Sequence, residues 1–262
     1  MRAADYAFFD VPFAAFAHRG GATYKPNLYR ENSLHAFKEA VALGYRYLET
    51  DVHATRDGVL LAFHDRVLDR VTDRKGAIAQ LTYGQIAEAR IHGLDPIPRL
   101  SELLVEFPNT RFNIDTKSPT AVALLAATIE EYEAHDRVCV ASFGIRRLYE
   151  LRRLLGWRVP SAASALGVAA NRFVPWVTWA LNTPAPVLQI PISLSMLHRQ
   201  VTVVTPALVE AAHRAGKKVQ IWTVDDSETM ERLIDAGVDG IFTDRVDTLK
   251  DVLVQRGLWA ER

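Results

Sequence analysis

Short β-like runs alternate with amphipathic helical segments along nearly the whole chain, and this alternation restricts the fold more than any other feature. The strand-like runs are 13–17 (FAAFA), 46–53 (RYLETDVH), 59–63 (VLLAF), 111–115 (RFNID), 137–142 (RVCVAS), 159–163 (VPSAA), 186–190 (PVLQI), 218–224 (KVQIWTV) and 239–242 (DGIF). Helical periodicity fits 33–43, 82–90, 100–106, 120–134, 145–155, 206–215, 227–236 and 246–256. Strand, helix, strand in repetition predicts a parallel sheet with helical crossovers. The 262 residues suit one α/β barrel of eight strands, for which about 250 residues is usual. No low-complexity linker divides the chain, so residues 1–262 are expected to form a single domain.

Nine runs are one too many for eight strands. Only Ala54 to Gly58 separate 46–53 from 59–63. A parallel crossover needs a dozen residues or more, so these two runs are predicted to form an antiparallel hairpin with Arg56-Asp57-Gly58 near its tip. One arm is then an excursion from the barrel. Folding back about the tip brings His64 opposite the Glu49–Asp51 segment.

Lys+Arg and Asp+Glu both number 31, so the formal net charge is zero. That argues against nucleic acid as a partner. A single cysteine, Cys139, allows no internal disulfide and fits a reducing, cytoplasmic setting. The N-terminal stretch has two acids and no long apolar core, so no signal peptide is expected. Residues 173–198 lack Asp, Glu, Lys and Arg, but Pro175, Pro184, Pro186 and Pro191 argue against a membrane-spanning helix. Trp176 and Trp179 are the residues there that would touch a membrane surface, if the segment is not simply packed on the domain.

Polar groups gather at the carboxyl ends of several predicted strands, where parallel barrels build their sites. Glu49 and Asp51 are two apart on one strand and share a face. Adjacent buried carboxylates repel one another, and a divalent cation, Mg²⁺ or Ca²⁺, or barrel arginines would relieve that repulsion. Asp115 offers a third oxygen donor from another strand. Arg19 and Lys117 are candidate holders of an anion such as phosphate, although Lys117 could equally pair with one of the acids. His18 and His64 are candidate ligands, core histidines or an acid–base pair. His53 shares the acids' face but lies nearer the hairpin tip and is read as peripheral. Asn32 or Ser33 caps helix 33–43, which leaves Glu31 free for a contact to substrate or to a substrate-holding side chain.

Taken in order, His18-Arg19-Gly20, Glu31-Asn32-Ser33, Glu49-x-Asp51-Val52-x-x-Thr55-x-Asp57-Gly58 and His64-Asp65 resemble the glycerophosphodiester phosphodiesterases. Asp115-x-Lys117, Ser142-Phe143, Trp222-Thr223-Val224 and the block from Gly237 to Asp244 continue the resemblance. It implies a TIM barrel that splits a glycerophosphodiester into glycerol 3-phosphate and an alcohol such as choline, ethanolamine or glycerol. It further implies His18 and His64 as general acid and base, and Glu49, Asp51 and Asp115 on one divalent cation, Ca²⁺ or Mg²⁺. Arg19, Lys117, Glu31 and Trp222 would then contact the substrate. The chain departs from the family pattern at Asp115, where glutamate is usual, in a longer 21–30 segment, and at Val246, where proline is common. Two other readings are a lyase acting on lysophospholipids or sphingolipids, and a barrel that binds a phosphorylated ligand without turnover.

Overall fold

The computed structural model describes residues 1–173, 184–196 and 199–259. Its strands are β1 (Ala14–His18), β2 (Tyr47–Ala54), β3 (Leu60–Ala62), β4 (Arg90–Ile91), β5 (Asp95–Pro96), β6 (Arg111–Thr116) and β7 (Val138–Ala141). There follow β8 (Val187–Ile190), β9 (Ser193–Met196), β10 (Arg199–Thr202), β11 (Lys218–Ile221) and β12 (Gly240–Thr243).

The main sheet runs β7-β6-β2-β1-β12-β11-β8, every neighbour parallel. The ring closes through the 159–163 run. Only Ser161 and Ala162 pair there, Ser161 with Val140 of β7 and Ala162 with Val187 of β8. Backbone bonds from Ala162 N to Val140 O and from Ala163 N to Val187 O, both 2.9 Å, join the two edges. The expected eight-stranded barrel is therefore present, with one strand reduced to a two-residue bridge. The predicted hairpin is present as well: β3 pairs antiparallel with β2, with Ala54 opposite Leu60, and Gly58 turns the chain at φ +84°.

Strand alternation sorts the core into two parts. Ala15, Ala17, Leu48, Val52, Ile114, Val140, Leu188 and Ile241 point outward against the helices. The alternate residues Phe16, Tyr47, Cys139, Val187 and Phe242 fill the barrel, closed below by Phe8 and Phe9. Phe16 and Phe242 stack at 4.0 Å, and the Tyr47 hydroxyl donates to Phe8 O at 2.6 Å. Beside them Gln189 donates to Asn113 (2.6 Å) and Gln220 (3.0 Å), so the amides crossing the barrel satisfy one another. With the lower barrel filled, any cleft must lie above this layer, at the carboxyl ends of the strands.

Several elements differ from expectation. The helix expected over 82–90 stops after Tyr83–Ile86, because Arg90 and Ile91 leave to pair with Asp95 and Pro96. These pieces belong to a small lobe with its own core of Leu61, Phe63, Leu68, Ile78, Ile86 and Ile91. The β11 run ends at Ile221 rather than 224, since Trp222 N bonds to Ile190 O while Val224 N turns to Phe242 O. The helix Ala165–Phe173 and the β9–β10 hairpin were not anticipated. Trp176 and Trp179 lie outside the described residues. No helix among the described residues is long and apolar enough to cross a membrane.

Candidate active site

The strand register sets the site. His18 lies beside Glu49, and Asp51 lies beside Asp115, in neighbouring parallel strands. Phe63 N donates to Asp51 O at 2.9 Å, which brings the hairpin's return arm, and His64 after it, to the same rim. His18, Arg19, Glu49, Asp51, His64, Asp115, Lys117 and Trp222 all line one cleft of about 530 Å³. Glu31 does not line it. The Glu31 carboxylate reaches the cleft only through Arg19, whose Nη1 lies 3.4 Å away.

The three acids are buried, with Glu49 5%, Asp51 2% and Asp115 7% exposed. Lys117 Nζ bridges two of them, 2.9 Å from Asp51 Oδ1 and 2.7 Å from Asp115 Oδ2. Arg19 Nε stands 3.2 Å from Asp51 Oδ2. Burial pushes the Asp51 carboxyl up, but Lys117 and Arg19 outweigh it and leave the group below the usual carboxylate range. Glu49 goes the other way: burial and the neighbouring Asp51 charge raise it. The Arg19 amide donates to Glu49 Oε2 at 3.1 Å from a backbone at φ +49°, a conformation that non-glycine residues seldom adopt.

The donor chemistry fits a hard divalent cation. Three carboxylates share one wall, and Asp115 Oδ1 is buried without a hydrogen-bond partner. In the arrangement observed, the Lys117 ammonium lies between Asp51 and Asp115, and no ready-made group of three or more ligands stands together among the described residues.

Both histidines are held through Nδ1. That of His18 donates to Asp244 Oδ1 at 2.8 Å, and that of His64 to Asp65 Oδ1 at 2.6 Å. Each ring thus carries its proton on Nδ1 and leaves Nε2 for chemistry. Burial lowers the His18 pKa, but the Glu49 charge and the Asp244 hydrogen bond more than offset it, so the net direction is upward. His53 is buried outside the cleft and donates from Nε2 to His64 O at 3.0 Å, which fixes the backbone of His64.

One participant, Arg70, has no counterpart among the sequence candidates, and further contacts complete the site. Arg70 binds Asp65 (Nε to Oδ2, 2.6 Å) and also Glu31 (2.9 and 2.7 Å), and so links His64 to Arg19 through two carboxylates. Phe143 packs edge-on to Trp222 at 5.5 Å, with Lys117 Nζ 5.6 Å from its ring centre. Asn32 accepts from the Thr50 hydroxyl at 2.8 Å, while Ser33 alone caps the helix by accepting from Ala36 N. The far wall of the cleft is apolar, formed by Val168, Ile190, Pro191, Val201 and Val203.

The glycerophosphoryl diester phosphodiesterase family model matches residues 18–248. The chain is 40% identical over 255 residues to the Mycobacterium tuberculosis protein called probable glycerophosphodiester phosphodiesterase 2, covering 94% of this chain and 92% of that one. A solved Silicibacter pomeroyi structure assigned to the same enzyme class superposes with a TM-score of 0.77 at 26% identity, covering 96% of each chain. An Oleispira antarctica phosphodiesterase, solved with the product sn-glycerol-3-phosphate, shares the fold (TM-score 0.76, 20% identity, 95% of this chain and 99% of that one). With this fold, this rim of strand ends and these matches, the chain belongs to the glycerophosphoryl diester phosphodiesterase family, enzymes that hydrolyse phosphoric diesters.

Proposed function

We propose that this cleft hydrolyses glycerophosphodiesters to glycerol 3-phosphate and a free alcohol by histidine acid–base catalysis. The observation that carries this reading is convergence. Two carboxylate-held histidines, two cations and three acids, from β1, β2, β6 and the hairpin arm, surround one cleft. Arg19 and Lys117 grip the phosphoryl oxygens. One histidine takes the proton of the glycerol 2-hydroxyl as that oxygen attacks phosphorus. The other, as imidazolium, protonates the departing alkoxide. The product of this step is a cyclic phosphate, which water opens with the two roles exchanged. An internal hydroxyl is already close, so the first step needs no captured water.

Glu49, Asp51 and Asp115 would hold a divalent cation, Ca²⁺ or Mg²⁺, which when bound stabilises negative charge on the phosphoryl oxygens. Residues 1–262 act as one domain, and the buried free thiol of Cys139 supports a cytoplasmic setting. The apolar far wall favours a second substrate class, lysophospholipids, whose hydrocarbon chain it could receive. The test is a panel of glycerophosphodiesters and lysophospholipids, assayed with and without chelator and with products identified by phosphorus NMR. Chelator-sensitive release of glycerol 3-phosphate supports the reading. No turnover of any diester in added Ca²⁺ or Mg²⁺ returns the chain to a binding role.

A further inference from the structure

The outer face of the helix Ile145–Leu155 carries a surface that the catalytic reading leaves unused. Leu148, Leu151 and Leu155 turn inward. Ile145, Arg146, Tyr149, Glu150 and Arg153 line a shallow depression on the opposite side. In a chain of zero net charge, residues 143–166 hold five arginines and a single acid, Glu150. Arg158 pairs with Glu130 at 3.7 Å, whereas Arg146 and Arg153 make no salt bridge among the described residues.

The same stretch exposes six of the twelve large apolar side chains that face solvent among the described residues. They are Phe143, Ile145, Tyr149, Leu154, Trp157 and Leu166. Scattered single exposures need no explanation, but half of them within 24 residues, interleaved with arginine, do. Phe143 is 70% exposed and also lines the cleft, so the surface begins at the mouth of the active site.

We propose that this face docks the protein on an anionic phospholipid surface. Arg146 and Arg153 meet the headgroups, while Ile145, Tyr149 and Trp157 enter the boundary between headgroups and acyl chains. Arginine, tyrosine and tryptophan suit that boundary because each joins an apolar body to a polar or charged tip. The charge selects the partner. A second copy bound face to face would set arginine against arginine, whereas an anionic bilayer complements the whole patch.

The test is co-sedimentation of the full chain with phosphatidylcholine vesicles and with vesicles that also contain phosphatidylglycerol. The expected result is binding to the anionic vesicles alone, reversed by high salt. A surface arginine contributes about fivefold to such partitioning, so the double variant R146E/R153E should bind at least about thirtyfold more weakly. I145S/Y149S should also bind more weakly. Both variants should keep wild-type turnover of soluble glycerophosphocholine, which shows that they fold. Equal sedimentation with both vesicle types, no sedimentation with either, or a dimer by light scattering that these substitutions dissolve, would each overturn the proposal.

Discussion

Asp244 Oδ1 lies 2.8 Å from Nδ1 of His18, although 226 positions separate the two residues in the chain. β12 returns beside β1 and brings the first and last parts of the barrel together. The carboxylate holds the ring so that Nε2 faces the cleft, 3.8 Å from Glu49 Oε2. Under the proposed mechanism, Asp244→Asn should lower kcat by roughly 10²-fold and leave KM nearly unchanged, because the proton-transfer geometry is lost while phosphate binding stays. Steady-state kinetics on glycerophosphocholine checks this. A raised KM at constant kcat would instead place Asp244 in substrate binding.

Arg70 is a positioning residue on the other histidine. It ties Asp65 to Glu31, and through them His64 to Arg19. Arg70→Gln should lower kcat by about tenfold, with partial rescue by Arg70→Lys, which keeps the charge but not the paired hydrogen bonds.

The same arginine predicts a pH effect. Its hydrogen bonds, helped by that of His64, hold the Asp65 carboxyl down at about 2. A depressed carboxylate stabilises the fold at pH values above its unfolded pKa of about 3.9, and that stability is lost as pH falls toward 2. Denaturant midpoints of wild type and Arg70→Gln should therefore differ at pH 7 and converge as pH falls through this window. A gap that persists unchanged at pH 2 would assign the loss to packing.

Lys117 compensates Asp51 and Asp115 together. Lys117→Met should destabilise the protein by about 3–5 kcal/mol, because buried carboxylates lose their cation. Adding Asp51→Asn should recover part of that loss, and urea denaturation of the single and double variants measures it. Additive losses would show that the pair is not coupled.

The filled lower barrel separates stability from chemistry. Phe16→Ala removes the ring stacked on Phe242 and should cost about 3–5 kcal/mol. Its kcat at low temperature should stay near wild type, since Phe16 is fully buried and does not line the cleft.

Much of this architecture is legible in the residue order. The five-residue gap from Ala54 to Gly58 is enough to make β2 and β3 a hairpin, and period-two alternation puts Glu49 and Asp51 on one face and Lys117 on the face of Asp115. The 64–97 lobe is not legible, because its strands are two residues long and too short to show a period. Helix Ala165–Phe173 is capped by Ser164, which accepts from Gly167 N at 3.2 Å, but it opens in small residues with a glycine in its first turn, a weak helical pattern. Arg70 carries no local signal, and Asp244 is legible only as a polar strand end, because their roles lie in partners: Glu31 stands 39 positions from Arg70, and His18 stands 226 from Asp244. Local pattern sets which face a residue occupies, and only the closed ring decides what it meets there.

The most direct test of the central claim is the kcat of His18→Ala and His64→Ala on glycerophosphocholine with saturating divalent cation, with folding verified by circular dichroism. Each substitution should reduce kcat by at least ~10²-fold. Wild-type turnover in either variant would contradict the account, because proton transfer would then have to come from outside the pair of histidines at the rim.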